Sequence, residues 1–529
     1  MKTKFYLGAI AALALGLGMS SCSNDEPKAE QINQEEQIPV GDLQYVTVRI
    51  SSTGGSSMGR ATSDGGFAEA VGNEGTITAE TVRFYFFTDN DLPYTMAVAN
   101  VNGEVSHTNM VKPTEISMDQ NNGSGNATLK GVLVLGTPES GYLGNKPAKV
   151  LCVANASSDE RFVSFANKRL SEIESIIANT PSTWTSFVMT TSTYGDNGKE
   201  IFTTDIPQLY TSVEDAQNNP VNIYIERLAA KIRVQGLKTW PSLDADGNEK
   251  EYIMANPDGS TSKVKYSIEL TGWQPMFLAN RCYAIKNIAP AFSAEPFNGW
   301  NDDKLHRSYW AYTPGLSEFS SNSFDIYDNT QFALGNYVSS KPTENIQYCY
   351  ENTDYPTAEP TTRETRATAI AVRGIVKDSE GKPANIVYWG GTYYKYEDLL
   401  TVIANAYNAD KGDGHTVTKD NIELVKDTRS TAKANTYRAV INNTTEFNRF
   451  DNILWWKDGV TSFYTTIQHL GNITGVVRNH VYDYEFTGVI GLGVPGNDRK
   501  DPEPETETWL AASINVLNWH VVKNSIILQ

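Results

Sequence analysis

Alternation of apolar and polar residues predicts short strands through the first half of the chain. In the stretch YVTVRI, Val46, Val48 and Ile50 alternate with polar residues, as a strand with one buried face requires. The stretch RFVSFANKRLSEIESII, residues 161–177, has its apolar residues at helical spacing and predicts a helix. Further strands are predicted over residues 81–89, 131–136, 148–155 and, with a bend, 221–237.

The second half is again predicted to be mostly strand. Residues 368–391 form two apolar runs separated by the turn-rich DSEG, and residues 396–408 have the spacing of a helix. Asp458 and Gly459 stand between two apolar, aromatic runs, which predicts a β-hairpin over residues 452–467. The whole pattern predicts a mainly β protein of two consecutive β-sandwich domains, of transthyretin-like or Greek-key type, with one or two short helices each.

The N-terminus predicts a bacterial export signal with a lipid attachment site. Lys2 and Lys4 precede an apolar run, residues 5–19, that is too short and wrongly flanked for a membrane-spanning helix. Cys22 follows two serines in a sequence that resembles a lipobox. We therefore expect cleavage before Cys22 and acylation of this residue, with palmitate as one of the acyl groups. The polar and acidic residues 23–40 predict a flexible tether.

Composition and charge argue against several classes of partner. The chain of 529 residues is 40% hydrophobic and 11% aromatic, which is enough for packed cores, and its net charge is −18. An acidic exported protein is a poor candidate for binding nucleic acid, or a membrane surface, through charge. Three cysteines follow Cys22, and an odd number is not a disulfide framework. Cys152 is expected in a core, and one Cys282–Cys349 bridge stays open.

The sequence carries no strong catalytic or metal-binding pattern, which predicts a protein that is not an enzyme and holds no cofactor or metal. The stretch DADGNE, residues 244–249, begins like a calcium loop but has Ala255 where the twelfth-position glutamate belongs, so a hairpin turn is the better interpretation. His469 and His480 do not stand at metal-ligand spacing, and we interpret them as core or hydrogen-bonding residues.

A loop of glycine and serine after the first strand carries one arginine, Arg60. The other basic residues within residues 23–81 are Lys28 and Arg49. A protease needs extended, mobile chain, which loop tips rich in small residues supply. Cleavage of the Arg60–Ala61 bond is one interpretation, and an ordinary surface arginine is the other. Arg49 lies inside the predicted strand, where its backbone is hydrogen-bonded, and is the second choice.

The last stretch of the chain has the pattern of an isolated strand. A linker of glycine, proline and acidic residues, 488–508, precedes WLAASINVLNWHVVKNSIILQ, residues 509–529. Such a strand needs partners for its backbone groups and its apolar face. The apolar positions change parity once, so a bend is expected near Leu517 and Asn518. The apolar residues are Leu510, Ala512, Ile514 and Val516 on one parity, then Leu517, Trp519 and Val521, with Ile526 further on.

Several stretches of the sequence resemble the Bacteroidales fimbrillins, of the Mfa type found in the short or minor fimbria. They are SSCSNDE, IERLAAKIRV, YYKYEDL, FYTTIQHLGNITGVVRNHVYDYEFTGVIGLGVP and INVLNWHVV. The resemblance is most specific from Phe463 to Pro495 and in the C-terminal strand. It spans essentially the whole chain, more loosely between residues 90 and 220, and the chain departs from it in insertions around 240–350.

The resemblance implies the shaft subunit of a type V pilus that supports adhesion and virulence at the cell surface. The precursor would be a lipoprotein anchored to the outer membrane through Cys22 and cut after Arg60 by an arginine-specific protease. The C-terminal strand would then complete another copy of the chain by donor-strand exchange. Other copies of the chain, accessory and tip subunits, and an anchor subunit are the implied partners.

This layout divides the chain into five parts. They are an export signal (1–21), a lipidated propeptide with the first strand (22–60), an N-terminal β-sandwich domain (61–220), a C-terminal β-sandwich domain (221–495), and a linker with the donor strand (496–529). A low-contrast stretch around 205–220 marks the expected domain boundary.

The competing interpretation is a surface glycan-binding lipoprotein. Trp389, Trp455 and Trp456 are the residue type that stacks on sugars, although packing inside a sandwich is the better interpretation of them. A glycan-binding protein would share the lipobox and the β-sandwiches. It would not explain the arginine loop or the isolated C-terminal strand.

Overall fold

The computed structural model describes the chain from residue 38 to residue 528 with gaps. The gaps are residues 42, 53–76, 78–80, 101, 114, 120–127, 137–145, 157–164, 180–186, 197–198, 277, 280, 288–337, 340–345, 354–366, 413, 415, 430–435, 443–444, 448, 470–473, 497–509 and 515–519. The described residues form mostly β-strands, with few helices, so the predicted mainly β class is confirmed.

The strands of the first part of the chain build one large sheet and several small ones. They are β1 Ile38–Pro39, β2 Gln44–Ser52, β3 Arg83–Phe87, β4 Met96–Ala99, β5 Val105–Thr108, β6 Met110–Val111, β7 Glu115–Asp119, β8 Thr128–Leu135, β9 Lys149–Ala154, β10 Ile177–Asn179, β11 Met189–Thr191, β12 Tyr194–Asp196, β13 Lys199–Ile201, β14 Thr204–Asp205 and β15 Val221–Arg227. Within the described residues the large sheet, called sheet I, has nine strands in the order β6-β3-β9-β11-β15-β2-β8-β7, with β14 also on β9.

The remaining strands build a second large sheet, called sheet II. They are β16 Ala230–Gln235, β17 Thr239–Leu243, β18 Tyr252–Ala255, β19 Thr261–Val264, β20 Ser267–Met276, β21 Arg281–Tyr283, β22 Val338–Ser339, β23 Ile346–Cys349, β24 Asn352–Thr353, β25 Ala369–Lys377, β26 Ile386–Trp389, β27 Thr392–Lys395, β28 Ile422–Lys426, β29 Tyr437–Ile441, β30 Thr445–Glu446, β31 Leu454–Trp456, β32 Val460–Thr466, β33 Gly475–Val476, β34 His480–Ile490, β35 Val494–Pro495, β36 Leu510–Ile514 and β37 His520–Leu528. Sheet II follows the order β23-β16-β34-β17-β20-β25-β32-β35, with β22 on β20 and with β36 and β37 on β34.

Three α-helices and two short 3-10 helices accompany these sheets in the part of the chain that the structure describes. The α-helices are α1 Leu170–Glu174, α2 Val213–Asn218 and α3 Tyr396–Lys411, and the 3-10 helices are Lys419–Asn421 and Lys457–Gly459. The helix predicted over residues 396–408 is therefore confirmed as α3. Its apolar residues Leu399, Leu400 and Ile403 are buried and share a core with Trp455.

The strands predicted from alternation in the first half occur where they were expected. β3 shows why its residues favour a strand with two covered faces: Phe84 and Phe86 lie in one core, and Tyr85 and Phe87 lie in another. The cysteine expected in a core, Cys152 of β9, is completely buried, and burial raises the pKa of its thiol. No disulfide joins Cys282 to Cys349, so the bridge that the sequence left open is not formed.

The helix predicted over residues 161–177 is wrong for most of the residues that the structure describes there, 165–177. Within its described part only α1 is helical, and Asn167 ends any longer helix because its φ is +61°. Asn167 holds this conformation through a reciprocal pair of bonds: the Asn167 amide N–H donates to Asn109 Oδ1 at 2.8 Å, and the Asn109 amide N–H donates to Asn167 Oδ1 at 3.1 Å. Phe165, an apolar residue that fits the helical spacing, does not lie on a helix. It is buried because it packs against Tyr85.

The hairpin predicted at Asp458 and Gly459 is also wrong, although the turn itself is present. Both residues have positive φ, 53° and 73°, as the sequence suggested. The flanking strands belong to different sheets, because β31 pairs with β26 and β32 pairs with β25. A Cβ atom on Gly459 would lie 2.4 Å from the carbonyl oxygen of Val376, so the close approach of β25 requires glycine here.

The bent strand predicted over residues 221–237 proves to be two strands in different sheets. β15 belongs to sheet I and β16 to sheet II, so the chain passes from one sheet to the other at Leu228 and Ala229. The Asn479 N–H donates to the carbonyl oxygen of Ala229 at 2.7 Å, and Arg227 Nη1 donates to Asn479 Oδ1 at 3.0 Å. This crossing is hereafter called the joint.

Buried ion pairs hold the joint together. Lys286 Nζ lies 2.8 Å from Glu226 Oε2, and both side chains are buried. Arg478 makes a bidentate pair with Glu351, with Nε donating to Oε2 at 2.7 Å and Nη2 donating to Oε1. Burial alone would lower the pKa of the Arg478 guanidinium, but Glu351 raises it above its ordinary value. Burial lowers the pKa of Lys286, and Glu226 offsets part of that effect.

Removing one partner of a buried pair should cost far more than removing one partner of an exposed pair. Arg478→Met leaves the Glu351 carboxylate buried without its counter-ion, and we expect a loss of about 3–5 kcal/mol in the free energy of unfolding. The matched control is Lys263→Met, because Lys263 pairs with Glu251 on the exposed surface. Denaturant unfolding followed by tryptophan fluorescence measures both. Equal shifts of the two midpoints would contradict the structural role given to the joint.

Candidate functional site

The first long strand that the structure describes, β2, is an interior strand of sheet I, third from one end. On one side it pairs antiparallel with β8 through eight consecutive partners, from Gln44 with Leu135 to Ser51 with Thr128. On the other side it pairs parallel with β15, from Val48 with Val221 to Ser52 with Ile225. A strand in this position cannot leave without exposing two rows of backbone hydrogen-bonding groups.

The side chains of β2 divide between two buried faces. Val46 and Val48 lie in a core on one face of sheet I, together with residues of β8 and β15, as the alternating pattern predicted. Thr47 is completely buried on the opposite face. Its partner on β8, Val132, is buried outside that core as well. Helix α2 lies against β2 and β8, and its buried Ala216 is also outside that core, so α2 covers the Thr47 face.

The second-choice processing residue, Arg49, is held inside the sheet. Its backbone pairs with Lys130 on β8 and with Asn222 on β15, while its side chain is exposed. The expected strand around Arg49 is therefore confirmed. Cys22, Arg60 and Ala61 lie outside the described residues, and their roles stay predictions.

The C-terminal segment, which contains β36 and β37, pairs with one edge of β34, and β16 pairs with the other edge. Strand β36 runs antiparallel to β34 through three partners, from Ala512 with Phe486 to Ile514 with Tyr484. Strand β37 runs parallel to β34, and its pairing shifts register between Asp483 and Val489. The sequence predicted an isolated strand at the end of the chain. The described backbone differs, because the backbone groups of β36 and β37 pair with β34 of the same chain. Residues 515–519, where the bend is expected, are outside the described part.

The edge of β34 is a feature that sequence reasoning missed. The strand is eleven residues long, and its buried residues include Tyr482, Tyr484 and Phe486. Its length and apolar content were visible in the sequence as HVYDYEFTGVI, but nothing local indicates that both of its neighbours come from distant parts of the chain. Parallel pairing with β16 joins residues about 250 positions apart, and such contacts leave no short-range signal.

The histidines interpreted as core residues are confirmed in that role. His469 and His480 are buried, and their rings make an edge-to-face contact with centroids 5.0 Å apart. Tyr482 OH is 2.8 Å from His469 Nδ1, and His480 Nδ1 is 2.8 Å from the carbonyl oxygen of Arg478. The turn predicted at DADGNE is confirmed too, since Asp244 Oδ1 accepts from two backbone N–H groups within the turn.

The tryptophans of the competing glycan-binding interpretation are used in packing. Trp456 and Trp455 are buried, in two different cores. Trp389 stacks on Phe450 with ring centroids 4.3 Å apart, and Trp455 stacks on Tyr396 at 4.7 Å. Across the described ranges no group of histidine, cysteine, aspartate and glutamate could hold a metal ion. No helix among these residues is both long and apolar enough to cross a membrane.

The buried valines of β2 should contribute measurably to the stability of the uncleaved chain. Val48→Ala removes two buried methyl groups from the core between β8 and β15, and we expect a loss of about 2 kcal/mol in the free energy of unfolding. Arg49→Ala on the same strand removes an exposed side chain and should change it by less than about 0.5 kcal/mol. Thermal unfolding of the two variants tests this, and an equal effect would show that β2 is not a packed core strand.

The C-terminal part of the chain matches a known family. Residues 456–525 match the family model described as "Major fimbrial subunit protein type IV, Fimbrillin, C-terminal". This range covers β32, β34 and most of the C-terminal segment, including the strand pairings described above. No curated protein matches the chain.

Solved structures with a related description also resemble the chain. A fimbrial assembly protein from Parabacteroides distasonis is 10% identical, with a TM-score of 0.29 over 64% of this chain and 96% of that one. The tip fimbrial protein Mfa3 from Porphyromonas gingivalis, with a C-terminal truncation, is 11% identical, with a TM-score of 0.27 over 66% of this chain and 83% of that one. At these TM-scores the likeness carries no argument of its own. The family match over residues 456–525 is to the C-terminal region of fimbrillins, and it supports a fimbrillin-type subunit.

Proposed function

We propose that this fimbrial, cell-adhesion-type protein is the shaft subunit of a surface fimbria and that it polymerises by donor-strand exchange. The observation that supports this most is the position of β2, which is an interior strand of sheet I and yet lies near the N-terminal end of the described residues. One cut within residues 53–76 would separate β2 from the rest of the sheet. Arg60 lies in that segment, and hydrolysis of the Arg60–Ala61 bond is the proposed activating step.

Loss of β2 would create a strong acceptor for another strand. The edge of β15 opposite Val48 to Ser52 and the edge of β8 opposite Gln44 to Ser51 would both lose their backbone partners. The core side chains that Val46 and Val48 cover would face water. A strand that fills this slot regains backbone bonds on two sides, and each apolar side chain that it buries contributes roughly 1.5–3 kcal/mol before ordering costs.

The C-terminal segment is the proposed donor. Its pairing with its own β34 comprises three partners for β36 and five for β37, with a register shift in β37, which is fewer than the partners of β2 on β8 and β15 together. The slot of β2 offers eight partners on β8 alone. At about 3.3 Å per residue, residues 509–529 would reach roughly 70 Å when extended, which allows the strand to cross more than one domain of a neighbouring subunit. Edge-strand addition of this kind draws affinity from backbone bonds and register from side-chain pockets.

The route of the subunit to the surface follows from the N-terminal predictions. The precursor would be exported as a lipoprotein, acylated at Cys22 and anchored to the outer membrane. Its partners would be other copies of the chain, tip and anchor subunits, and an arginine-specific protease. Because the chain carries its own C-terminal strand, it can complete a further subunit, which favours a place in the shaft. Immunogold labelling confined to fibre ends would contradict that place.

Processing after Arg60 has a direct chemical readout. We expect the N-terminus of surface-assembled subunits to be Ala61, as read by N-terminal sequencing. Arg60→Ala should accumulate a lipidated, monomeric precursor that retains β2. Arg49→Ala is the control and should leave processing unchanged, because the backbone of Arg49 is paired on both sides. Assembled subunits that begin at Cys22 or Ser23 would refute the processing step.

Assembly should depend on one face of the donor strand. Deletion of residues 509–529 should leave a folded, secreted and processed monomer that forms no heat-labile ladder on an unboiled gel. Ile514→Asp or Val516→Asp should weaken assembly more than Asn515→Asp, because alternate residues of a strand face opposite sides. Equal defects from the three substitutions would remove the argument from alternation and leave strand exchange without its side-chain basis.

A further inference from the structure

The slot that β2 occupies has a narrow position on the face covered by α2. At this position, called the Thr47 position, the side chain of Thr47 is completely buried beside Val132 and under α2. The hydroxyl of Thr47 has no hydrogen-bond partner among the described residues. Any strand that replaces β2 must therefore place a small side chain at this position, because a large one would meet α2.

On the core face of the slot, the two residues next to the Thr47 position stand opposite β8 residues of different size. Val46 stands opposite Leu133, a large side chain, whereas Val48 stands opposite Gly131, which has none. A replacing strand is best packed when its smaller residue faces Leu133 and its larger residue faces Gly131. The next residue along, at the place of Arg49, is exposed and suits a polar side chain.

These requirements select one register of the C-terminal segment. Small residues flanked by two apolar residues are Ala511 and Ser513. With Ser513 at the Thr47 position and the strand running as β2 runs, Ala512 faces Leu133 and Ile514 faces Gly131, and the polar Asn515 takes the exposed place.

The competing registers fit less well. In the same direction, Ala511 at the Thr47 position would set Leu510 against Leu133 and leave Ala512 opposite Gly131, which crowds one place and leaves a void at the other. In the reverse direction it would put Trp509 at the exposed place. Ser513 in the reverse direction would again set the larger residue, Ile514, against Leu133.

We propose that Ser513 of a second copy of this chain takes the Thr47 position and sets the register of the inserted strand, which runs parallel to β15. This inference rests on the proposed exchange of β2 for the C-terminal segment. It adds that the inserted residue lies directly opposite Val132 of the receiving subunit. Directly opposed residues on antiparallel strands have Cα atoms about 4.5–5.5 Å apart, which suits a disulfide, whereas a shift of two residues places them too far apart.

Cysteine cross-linking tests the register. In a chain with Val132→Cys and Ser513→Cys, oxidation of assembled fibres should give a ladder of covalent multimers on a non-reducing, boiled gel. Val132→Cys combined with Ala511→Cys, or with Asn515→Cys, serves as the matched control and should give at least about tenfold less. The native Cys152, Cys282 and Cys349 are buried, and chains with a single added cysteine set the background.

The outcomes separate the register from the exchange on which it rests. A covalent ladder with Ala511→Cys or Asn515→Cys in place of Ser513→Cys overturns the register and leaves strand exchange standing. Fibres that form but cross-link with none of the three also overturn the register. Absence of heat-labile multimers from the unaltered, processed chain overturns the exchange and the register with it.

A second pair of variants avoids any change to the receiving sheet. Ser513→Trp places a large side chain under α2 of the neighbour and should reduce the yield of multimers by more than about tenfold. Ser513→Ala keeps the position small and should stay within about twofold of the unaltered chain. Because Ser513 lies in the donor strand, both variants should fold and be processed normally. Full assembly of Ser513→Trp would overturn the proposal.

Discussion

The structure depends above all on the requirement that each backbone N–H and C=O group inside a sheet has a partner. β2 meets this requirement for β8 on one side and β15 on the other, and it supplies Val46 and Val48 to the core between them. The strand is therefore an integral part of sheet I, and residues 53–76 are its covalent link to the strands that follow it in the chain. The same requirement acts on β34, whose outer edge the chain covers with β36 and β37.

At the joint, the requirement for a partner extends to buried charged groups. Four ionisable side chains come together where the chain passes from sheet I to sheet II, and they form two pairs: Lys286 with Glu226 and Arg478 with Glu351. An unpaired charge in this interior would cost much free energy of folding. The two sheets are therefore restricted to relative positions that keep both ion pairs.

Much of the fold could be predicted from local pattern, and the errors have specific causes. The strands around Val46, Cys152 and Ile370 and the helix α3 follow directly from apolar spacing. The helix expected at residues 161–177 failed because Phe165 is buried by tertiary packing while Asn167 takes a positive φ that its bonds with Asn109 hold in place. The turn at Asp458 was correct as a turn, and its strands still separate into two sheets.

The sequence by itself determined which segments form strands, which residues turn inward along them, and the family of the C-terminal region, because these properties reside in residues close together in the chain. Only the tertiary structure decided that β2 lies between β8 and β15, that α2 closes the face beneath Thr47, and that β34 lies between β16 and the C-terminal segment. The reason is that strand order and register come from pairing residues far apart in sequence. Alternation fixes the face that a side chain takes but does not say which strand stands beside it.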